Sequence, residues 1–126
     1  MDLRIPATDG FPLAATLFGE PSVARSLVTI NPATAVPRRF YATFAEWLAA
    51  RGHLVLTFDY RSMGESVPGP KGVRMRDWGE KDLAGILAWA RKEHDTLPLA
   101  GFGHSAGGQM LALAEGSERY QAFVGA

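Results

Sequence analysis

Short apolar runs alternate with amphipathic segments along all 126 residues, and this alternation limits the folds that the chain can adopt. Residues 27–30, 54–58, 99–102 and 122–125 are apolar runs of strand length, bounded by polar or turn-forming residues. Segments of helical periodicity separate most of them. Strands that alternate with helices at this spacing are joined by right-handed crossovers, which give a mostly parallel sheet with helices on both faces. The sequence therefore predicts an α/β fold.

An antiparallel hairpin is predicted ahead of the parallel strands. Residues 3–6 and 12–18 flank Thr8-Asp9-Gly10, and Asp-Gly between two such runs favours a turn because glycine accepts a positive φ. Apolar spacing and terminal signals predict three helices: residues 40–51 closed by Gly52, a helix opened by a capping box of Asp77 and Glu80 with its apolar face at residues 83–90, and residues 109–115 ended by Gly116.

Composition and charge exclude several classes of partner. The chain carries 13 Lys and Arg against 13 Asp and Glu, and no run of like charge is longer than Arg38-Arg39, so neither a nucleic-acid surface nor a membrane surface is predicted. Without cysteine, disulfides and thiolate chemistry are excluded. The apolar stretches fall short of the ~20 residues that a spanning helix needs. The first residues lack the pattern of an export signal, so a cytoplasmic location is expected.

Gly103-His104-Ser105-Ala106-Gly107 matches the pattern G-x-S-x-G, and a predicted strand enters it while a predicted helix leaves it. A serine on so sharp a turn brings the strand and helix backbones together, which leaves little room for a side chain two positions before and after it. The turn raises the Ser105 hydroxyl above the carboxyl ends of the strands. It also places the Ala106 N–H at a helix N-terminus, where it can stabilise a developing oxyanion. These features predict a nucleophile at Ser105.

Structural roles without catalysis are also possible for these residues. Ser105 could simply cap the helix that begins near Ala106. His53 and His94 are interpreted as surface or rim residues at a strand start and a helix end, and His104 as a residue whose ring is held away from the Ser105 hydroxyl. No cluster with metal-ligand spacing is present, so no metal or cofactor is expected. Asp59 is interpreted as a hydrogen-bond acceptor that shapes the loop after the strand at residues 54–58. Met110 is expected to fill space between helix and sheet.

Together these motifs resemble the α/β-hydrolase superfamily of serine hydrolases, especially its serine aminopeptidase-like and lysophospholipase-like branch. Residues 58–66, with the sequence Phe-Asp-Tyr-Arg-Ser-Met-Gly-Glu-Ser, are similar to the D-x-R-G-x-G-x-S segment of many members, although Ser62 replaces the usual glycine. Asn31-Pro32 stands where many members have His-Gly. By that correspondence the second oxyanion donor is the backbone N–H of Ala33 or Thr34, because Pro32 has no N–H.

The resemblance implies that residues 1–126 are the N-terminal part of a single α/β-hydrolase domain, which ends near strand six. The family order of nucleophile, acid and histidine places the triad acid and histidine in a C-terminal half beyond Ala126. An open sheet edge and a bare apolar patch are then expected. The implied activity is cleavage of an ester, thioester or amide in a small-molecule acyl substrate, through an acyl-enzyme on Ser105.

Two other functions are weighed against this one. A catalytically inactive fragment or interaction module that retains the hydrolase scaffold is consistent with the lack of a recognisable acid and base. A nucleotide-binding protein is disfavoured because the glycines flank a serine, whereas phosphate-binding loops have the pattern G-x-G-x-x-G or G-x-x-x-x-G-K-[ST] after the first parallel strand. Neither the substrate nor the oligomeric state is predicted by the sequence.

Overall fold

All residues 1–126 are described by a computed structural model, in which six strands form one sheet. The strands are β1 (Asp2–Pro6), β2 (Pro12–Phe18), β3 (Ser26–Asn31), β4 (His53–Phe58), β5 (Leu99–Gly103) and β6 (Tyr120–Gly125). They lie in the order β1-β2-β4-β3-β5-β6. The last four strands run parallel to one another, whereas β2 pairs antiparallel with both β1 and β4. The predicted mostly parallel sheet with a leading hairpin is confirmed.

Helical segments lie between the strands. They are α1 (Ala42–Ala49), α2 (Met75–Asp77), α3 (Ala84–His94) and α4 (Ala106–Gln109), with a π-helical turn (Trp78–Leu83) between α2 and α3 and 3₁₀ turns at Pro21–Val23, Arg38–Tyr41, Met110–Leu113 and Ser117–Arg119. None of these helices combines the length and the apolar content that crossing a membrane would require.

The two faces of the sheet bury separate apolar cores. The larger core holds 19 buried residues, including Leu54, Leu56 and Met110, and packs under α3. The smaller core holds five residues and packs under α1, with Val55 and Ala45 among them. Successive residues of β4 therefore point to opposite cores, as strand geometry requires. Burial on both faces explains why the parallel strands appear in the sequence as continuous apolar runs.

An aromatic strip stays exposed along α1 and the turn before it. Phe40, Phe44 and Trp47 follow one another at helical spacing and are 68%, 37% and 52% exposed. The Arg51 guanidinium lies 3.7 Å over the Trp47 ring. At one edge of the sheet, β6 pairs only with β5. The expected apolar patch and open sheet edge are both present.

The second predicted helix starts three residues earlier than its sequence signal predicts. The carboxylate of Asp77 accepts the backbone N–H of Arg74 at 3.0 Å, so Asp77 is the residue that reaches back to the helix start and does not open the helix itself. Glu80 pairs with Arg76 one turn earlier. The capping signal was correct in kind, but Asp77 fills its second position instead of its first.

The predicted helix over residues 109–115 is shorter than expected. Regular α-helix covers only α4, and the 3₁₀ turn Met110–Leu113 follows it. The Ala114 N–H donates to the Leu111 carbonyl, which tightens this last turn. Gly116 then adopts φ 97°, and the chain turns into β6 within a few residues. The short return to the sheet leaves no room for a longer helix.

Candidate active site

Backbone strain is concentrated at the carboxyl edge of the parallel strands. The non-glycine residues with positive φ are Ala35 (63°), Ser62 (69°) and Ser105 (53°). They lie in the loops that follow β3, β4 and β5, respectively. Conformations of this kind cost about 1–3 kcal/mol each and cluster at functional sites. The edge that holds these three loops is therefore the candidate site.

Ser105 occupies the predicted strand–turn–helix between β5 and α4. Its backbone adopts φ 53° and ψ −114°, and Ser105 is exposed to solvent. Its N–H donates to the Ala126 carbonyl at 2.7 Å, and its carbonyl accepts the Gly108 N–H at 3.0 Å. The side chain makes no capping hydrogen bond to α4. The interpretation of Ser105 as a helix cap is therefore wrong, and its hydroxyl is presented to solvent at the carboxyl edge.

Gly103 and Gly107 are the two residues that allow this turn. A Cβ atom at Gly103 would lie 2.6 Å from the Gly108 nitrogen and 2.7 Å from the Phe123 ring. A Cβ atom at Gly107 would lie 2.0 Å from the carbonyl oxygen of Asn31. Real Cβ contacts are longer than these distances, so larger residues would displace the backbone. The crowding predicted for both glycines is confirmed.

Ala106 is the first residue of α4 and is 5% exposed. The first N–H groups of a helix have no acceptor within that helix, so this N–H is available to a group placed beside Ser105. Ala106 thus follows Ser105 at the helix start, the position from which the sequence predicts it to act as an oxyanion donor. That role itself stays a prediction.

The loop after β3 carries the other two predicted donors. Ala33 is buried, and its N–H donates to the Tyr41 hydroxyl at 3.0 Å. Thr34 is exposed, and its N–H makes no hydrogen bond within the protein. The Val36 N–H donates to the Ala33 carbonyl and closes the turn that contains Ala35. Of the two alternatives, Thr34 is the one with a free N–H.

Tyr41 and His104 link this loop to the Ser105 turn. The Tyr41 hydroxyl lies 2.8 Å from His104 Nδ1, and the two rings meet edge to face. The His104 backbone N–H donates to the Asn31 carbonyl at 3.1 Å. Burial raises the pKa of Tyr41 above its ordinary value, so its hydroxyl keeps the proton. His104 Nδ1 is thus paired with Tyr41, and the separation of this ring from the Ser105 hydroxyl stays a prediction.

Sequence reasoning missed Tyr41. The residue follows Phe40 directly at the start of a predicted helix, where an aromatic side chain is expected to pack against the sheet. Nothing local distinguishes a tyrosine that packs from one whose hydroxyl also joins two loops. The spacing of Tyr41 from Ala33 and His104, 8 and 63 residues, hides the contact from any short motif.

Asp59 shapes the loop after β4, as the sequence predicts. Its carboxylate accepts the Arg38 N–H at 2.7 Å, Arg38 Nη1 at 2.6 Å and the Glu65 N–H at 3.0 Å. A Cβ atom at Gly64 would lie 2.4 Å from the Asp59 carboxyl carbon. The Ser66 hydroxyl donates to the Asp59 carbonyl and accepts the Ala14 N–H. Asp59, Gly64 and Ser66 therefore build one loop. The structure contains no group of three or more His, Cys, Asp or Glu side chains that could hold a metal ion.

Arg61 anchors the same loop to two distant segments. Its Nε and its backbone N–H donate to the two Asp82 carboxylate oxygens at 2.7 and 2.8 Å. Both of its terminal nitrogens donate to Asp9 at 2.9 Å. This hydrogen bonding lowers the pKa of Asp9 to about 2. The partner Asp82 lies in the π-helical turn and was not predicted.

Two of the three histidines lie at the opposite edge of the sheet from Ser105. His53 starts β4, where its ring contacts the Ser26 hydroxyl at 2.6 Å, and His94 ends α3. His53 lies at the amino edge of the parallel sheet, and His94 lies beside Leu99 at the same edge. Ser105 follows the carboxyl end of β5, at the opposite edge.

Solved structures share this fold. An α/β serine hydrolase without lid from Xanthomonas campestris matches 99% of the chain and 59% of its own length, with a TM-score of 0.74 and 23% identity. The α/β hydrolase GrgF from Penicillium sp. sh18 matches 99% of the chain and 44% of its own length, with a TM-score of 0.82 and 22% identity. At these identities the likeness establishes the fold.

Sequence comparison points to the same group of proteins. A curated relative, the monoacylglycerol lipase of Mycolicibacterium smegmatis, is 39% identical over 73 residues, which are 56% of this chain. The match spans only 25% of that lipase. The family model described as "Serine aminopeptidase, S33" matches residues 23–126, most of the chain. The chain therefore belongs to the S33 serine aminopeptidase family and has an α/β-hydrolase fold.

Proposed function

We propose that the protein is a serine hydrolase that cleaves an ester, thioester or amide through an acyl-enzyme on Ser105. The observation that carries the proposal is the backbone of Ser105, which is strained, exposed and possible only because Gly103 and Gly107 flank it. Strain at a solvent-exposed serine has no role in packing. It is explained if the hydroxyl must project above the sheet toward a substrate.

In the proposed reaction the Ser105 oxygen attacks the acyl carbon while a general base takes the hydroxyl proton. The carbonyl oxygen becomes an oxyanion, the leaving group departs with a proton, and water then cleaves the acyl-enzyme to a carboxylic acid. Backbone N–H groups stabilise the oxyanion best when they are already in place, and removing one such donor costs about 10²–10³ in kcat.

The donors on the Ser105 side and on the β3 side are Ala106 and, by our proposal, Thr34. Support for Thr34 over Ala33 comes from the hydrogen bonds, since Ala33 already donates its proton to Tyr41 whereas Thr34 donates to nothing. The two loops are in contact, because Asn31 at the end of β3 accepts the His104 N–H and touches Gly107. We propose that one substrate oxygen faces both donors.

The base and acid would be supplied from outside residues 1–126. Support comes from the positions of His53 and His94 at the far edge of the sheet and from the contact of His104 with Tyr41. We propose accordingly that these residues are the N-terminal part of a single hydrolase domain. The solved structures named above match over 44–59% of their own length, which supports the same division.

Among acyl substrates, esters are favoured. The curated relative is a monoacylglycerol lipase, and one structural neighbour with 20% identity is an esterase of Pyrococcus furiosus. The site needs no metal or organic cofactor in the proposed reaction, since backbone N–H groups take the place of a Lewis acid at the oxyanion.

Hydrolysis of p-nitrophenyl acetate and p-nitrophenyl butyrate by the full gene product tests the proposal. We expect turnover that Ser105→Ala abolishes and that the exposed-serine control Ser22→Ala leaves unchanged. Turnover that survives in Ser105→Ala would place the nucleophile elsewhere and contradict the proposal.

A second candidate is an inactive scaffold or interaction module, which is favoured by the position of His53 and His94 at the far edge of the sheet and by the pairing of His104 Nδ1 with Tyr41. The same assay separates the two candidates. A folded full gene product without turnover on any acyl substrate supports the inactive scaffold. Turnover by the full gene product, and none by residues 1–126 alone, supports the hydrolase with a base from elsewhere in the chain.

A further inference from the structure

The Tyr41 hydroxyl is the one side-chain group that joins the two loops proposed to hold the oxyanion. It accepts the Ala33 N–H at 3.0 Å and lies 2.8 Å from His104 Nδ1. Ala33 precedes the proposed donor Thr34, and His104 precedes Ser105. Each contact is therefore one residue away from a group that the proposed reaction uses.

Hydrogen-bond geometry fixes the direction of the Ala33 contact. A tyrosine hydroxyl has one proton to give, and the Ala33 N–H can only donate. The Tyr41 oxygen accepts from Ala33, and Tyr41 donates to His104 Nδ1 when the ring proton is on Nε2, whereas His104 donates to Tyr41 when that proton is on Nδ1. Both partners are then satisfied by one buried oxygen, since Tyr41 is 6% exposed.

The rest of the Tyr41 side chain has a separate task. Its ring packs in the smaller core with Val28, Ile30 and Val55. Phenylalanine at this position would keep that packing and would remove only the hydroxyl. The two roles of the residue, apolar packing and loop connection, can therefore be separated by one substitution.

We propose that Tyr41 is a positioning residue whose hydroxyl sets the distance between the Thr34 and Ala106 donors by fastening the β3 loop to the Ser105 turn. The inference rests on the proposed hydrolase function. It assigns to Tyr41 no contact with the substrate. Without the hydroxyl, the buried Ala33 N–H loses its acceptor and the loop is free to shift, so the two donors no longer meet one oxygen.

Ester hydrolysis by Tyr41→Phe in the full gene product is the first test. Because a donor pair is misplaced and no binding group is lost, we expect kcat to fall about tenfold or more and KM to change less than about threefold. The matched control is Tyr60→Phe, because the buried Tyr60 hydroxyl has no hydrogen-bond partner. The control should keep its kcat. An unchanged or raised kcat in Tyr41→Phe, or an equal loss in Tyr60→Phe, would overturn the inference.

A second measurement does not depend on turnover. ¹⁵N NMR of the His104 ring and hydrogen exchange of the Ala33 amide report the two bonds directly. In Tyr41→Phe we expect a changed Nδ1 shift and at least tenfold faster exchange at Ala33, with both signals unchanged in Tyr60→Phe. Identical His104 and Ala33 signals in wild type and Tyr41→Phe would overturn the inference.

The outcomes distinguish failure of the Tyr41 role from failure of the proposed function. If the wild-type protein turns over esters and Tyr41→Phe matches it, only the positioning role of Tyr41 is wrong. If the wild-type protein is folded but has no Ser105-dependent turnover, the hydrolase proposal fails and the positioning role fails with it.

Discussion

Gly107 packs so closely against Asn31 that a single added methyl group would lie 2.0 Å from the Asn31 carbonyl oxygen. Asn31 ends β3, and Gly107 lies in the first turn of α4. The contact therefore joins the first parallel strand to the turn that carries Ser105. It explains in physical terms why a larger residue does not fit at the second glycine of the motif.

Gly107→Ala should destabilise the protein by about 2–4 kcal/mol, because the overlap is with backbone and no side chain can move aside. Gly108→Ala is the matched control, since a Cβ atom there meets nothing within 4 Å. Alanine at that helical position should be neutral or stabilising by up to about 1 kcal/mol. Urea unfolding followed by circular dichroism measures both. Equal stability of the two variants would contradict the close packing.

Ser62→Gly should stabilise the protein by about 0.5–1 kcal/mol. Ser62 adopts φ 69°, a conformation that costs an L-residue about 1–2 kcal/mol and costs glycine little, while glycine loses more freedom on folding. Ser62→Ala keeps the strain and is the control. Thermal denaturation of the two variants measures the difference. A gain in the alanine variant as large as in the glycine variant would show that the serine hydroxyl, and not the backbone, is the source.

Asp82→Ala should destabilise the protein by about 3–5 kcal/mol, because it leaves the buried Arg61 guanidinium without its most buried partner. Glu80→Ala removes a carboxylate from the exposed pair with Arg76, and its cost should stay below about 0.5 kcal/mol. Chemical denaturation compares the two. A cost for Asp82→Ala that is no larger than for Glu80→Ala would mean that Arg61 finds other partners or reaches water.

Asp9 should contribute to stability above pH 4 and lose that contribution as the pH falls toward 2. Its hydrogen bonds from Arg61 lower its pKa from 3.8 to about 2, so the folded state holds the ionised form more strongly than the unfolded chain does. The side chain is 41% exposed, and screening limits the effect to about 1 kcal/mol at most. Denaturant midpoints of wild type and Asp9→Asn should differ at pH 5 and converge near pH 2. A difference that does not shrink would contradict the assignment.

The local chain predicts much of this fold. The apolar runs predict the strands because the sheet buries both faces, and Asp-Gly at residues 9–10 predicts the hairpin turn because Gly10 takes φ 90°. The two glycines around Ser105 predict the turn because the backbone there leaves no space for a Cβ atom at either position. The strands and the hairpin turn depend on residues close together in the chain, whereas the atom that excludes a side chain at Gly107 belongs to the distant Asn31.

The partners of Arg61 and Tyr41 could not be predicted because they lie far away in the sequence. Arg61 meets Asp9 and Asp82 across 52 and 21 residues, and Tyr41 meets His104 across 63. Such contacts depend on how the sheet brings the loops together, and short sequence motifs do not predict them. The helix predicted over residues 109–115 differs from the structure for the same reason, because the return to β6 decides where the helix stops.

Labelling of the full gene product with a fluorophosphonate probe, read by intact mass and peptide mapping, tests the central claim that Ser105 is the nucleophile. We predict one probe per chain on Ser105, no labelling in Ser105→Ala, and undiminished labelling in Ser22→Ala. Absence of labelling in a folded wild-type sample, or labelling that persists in Ser105→Ala, would contradict the claim.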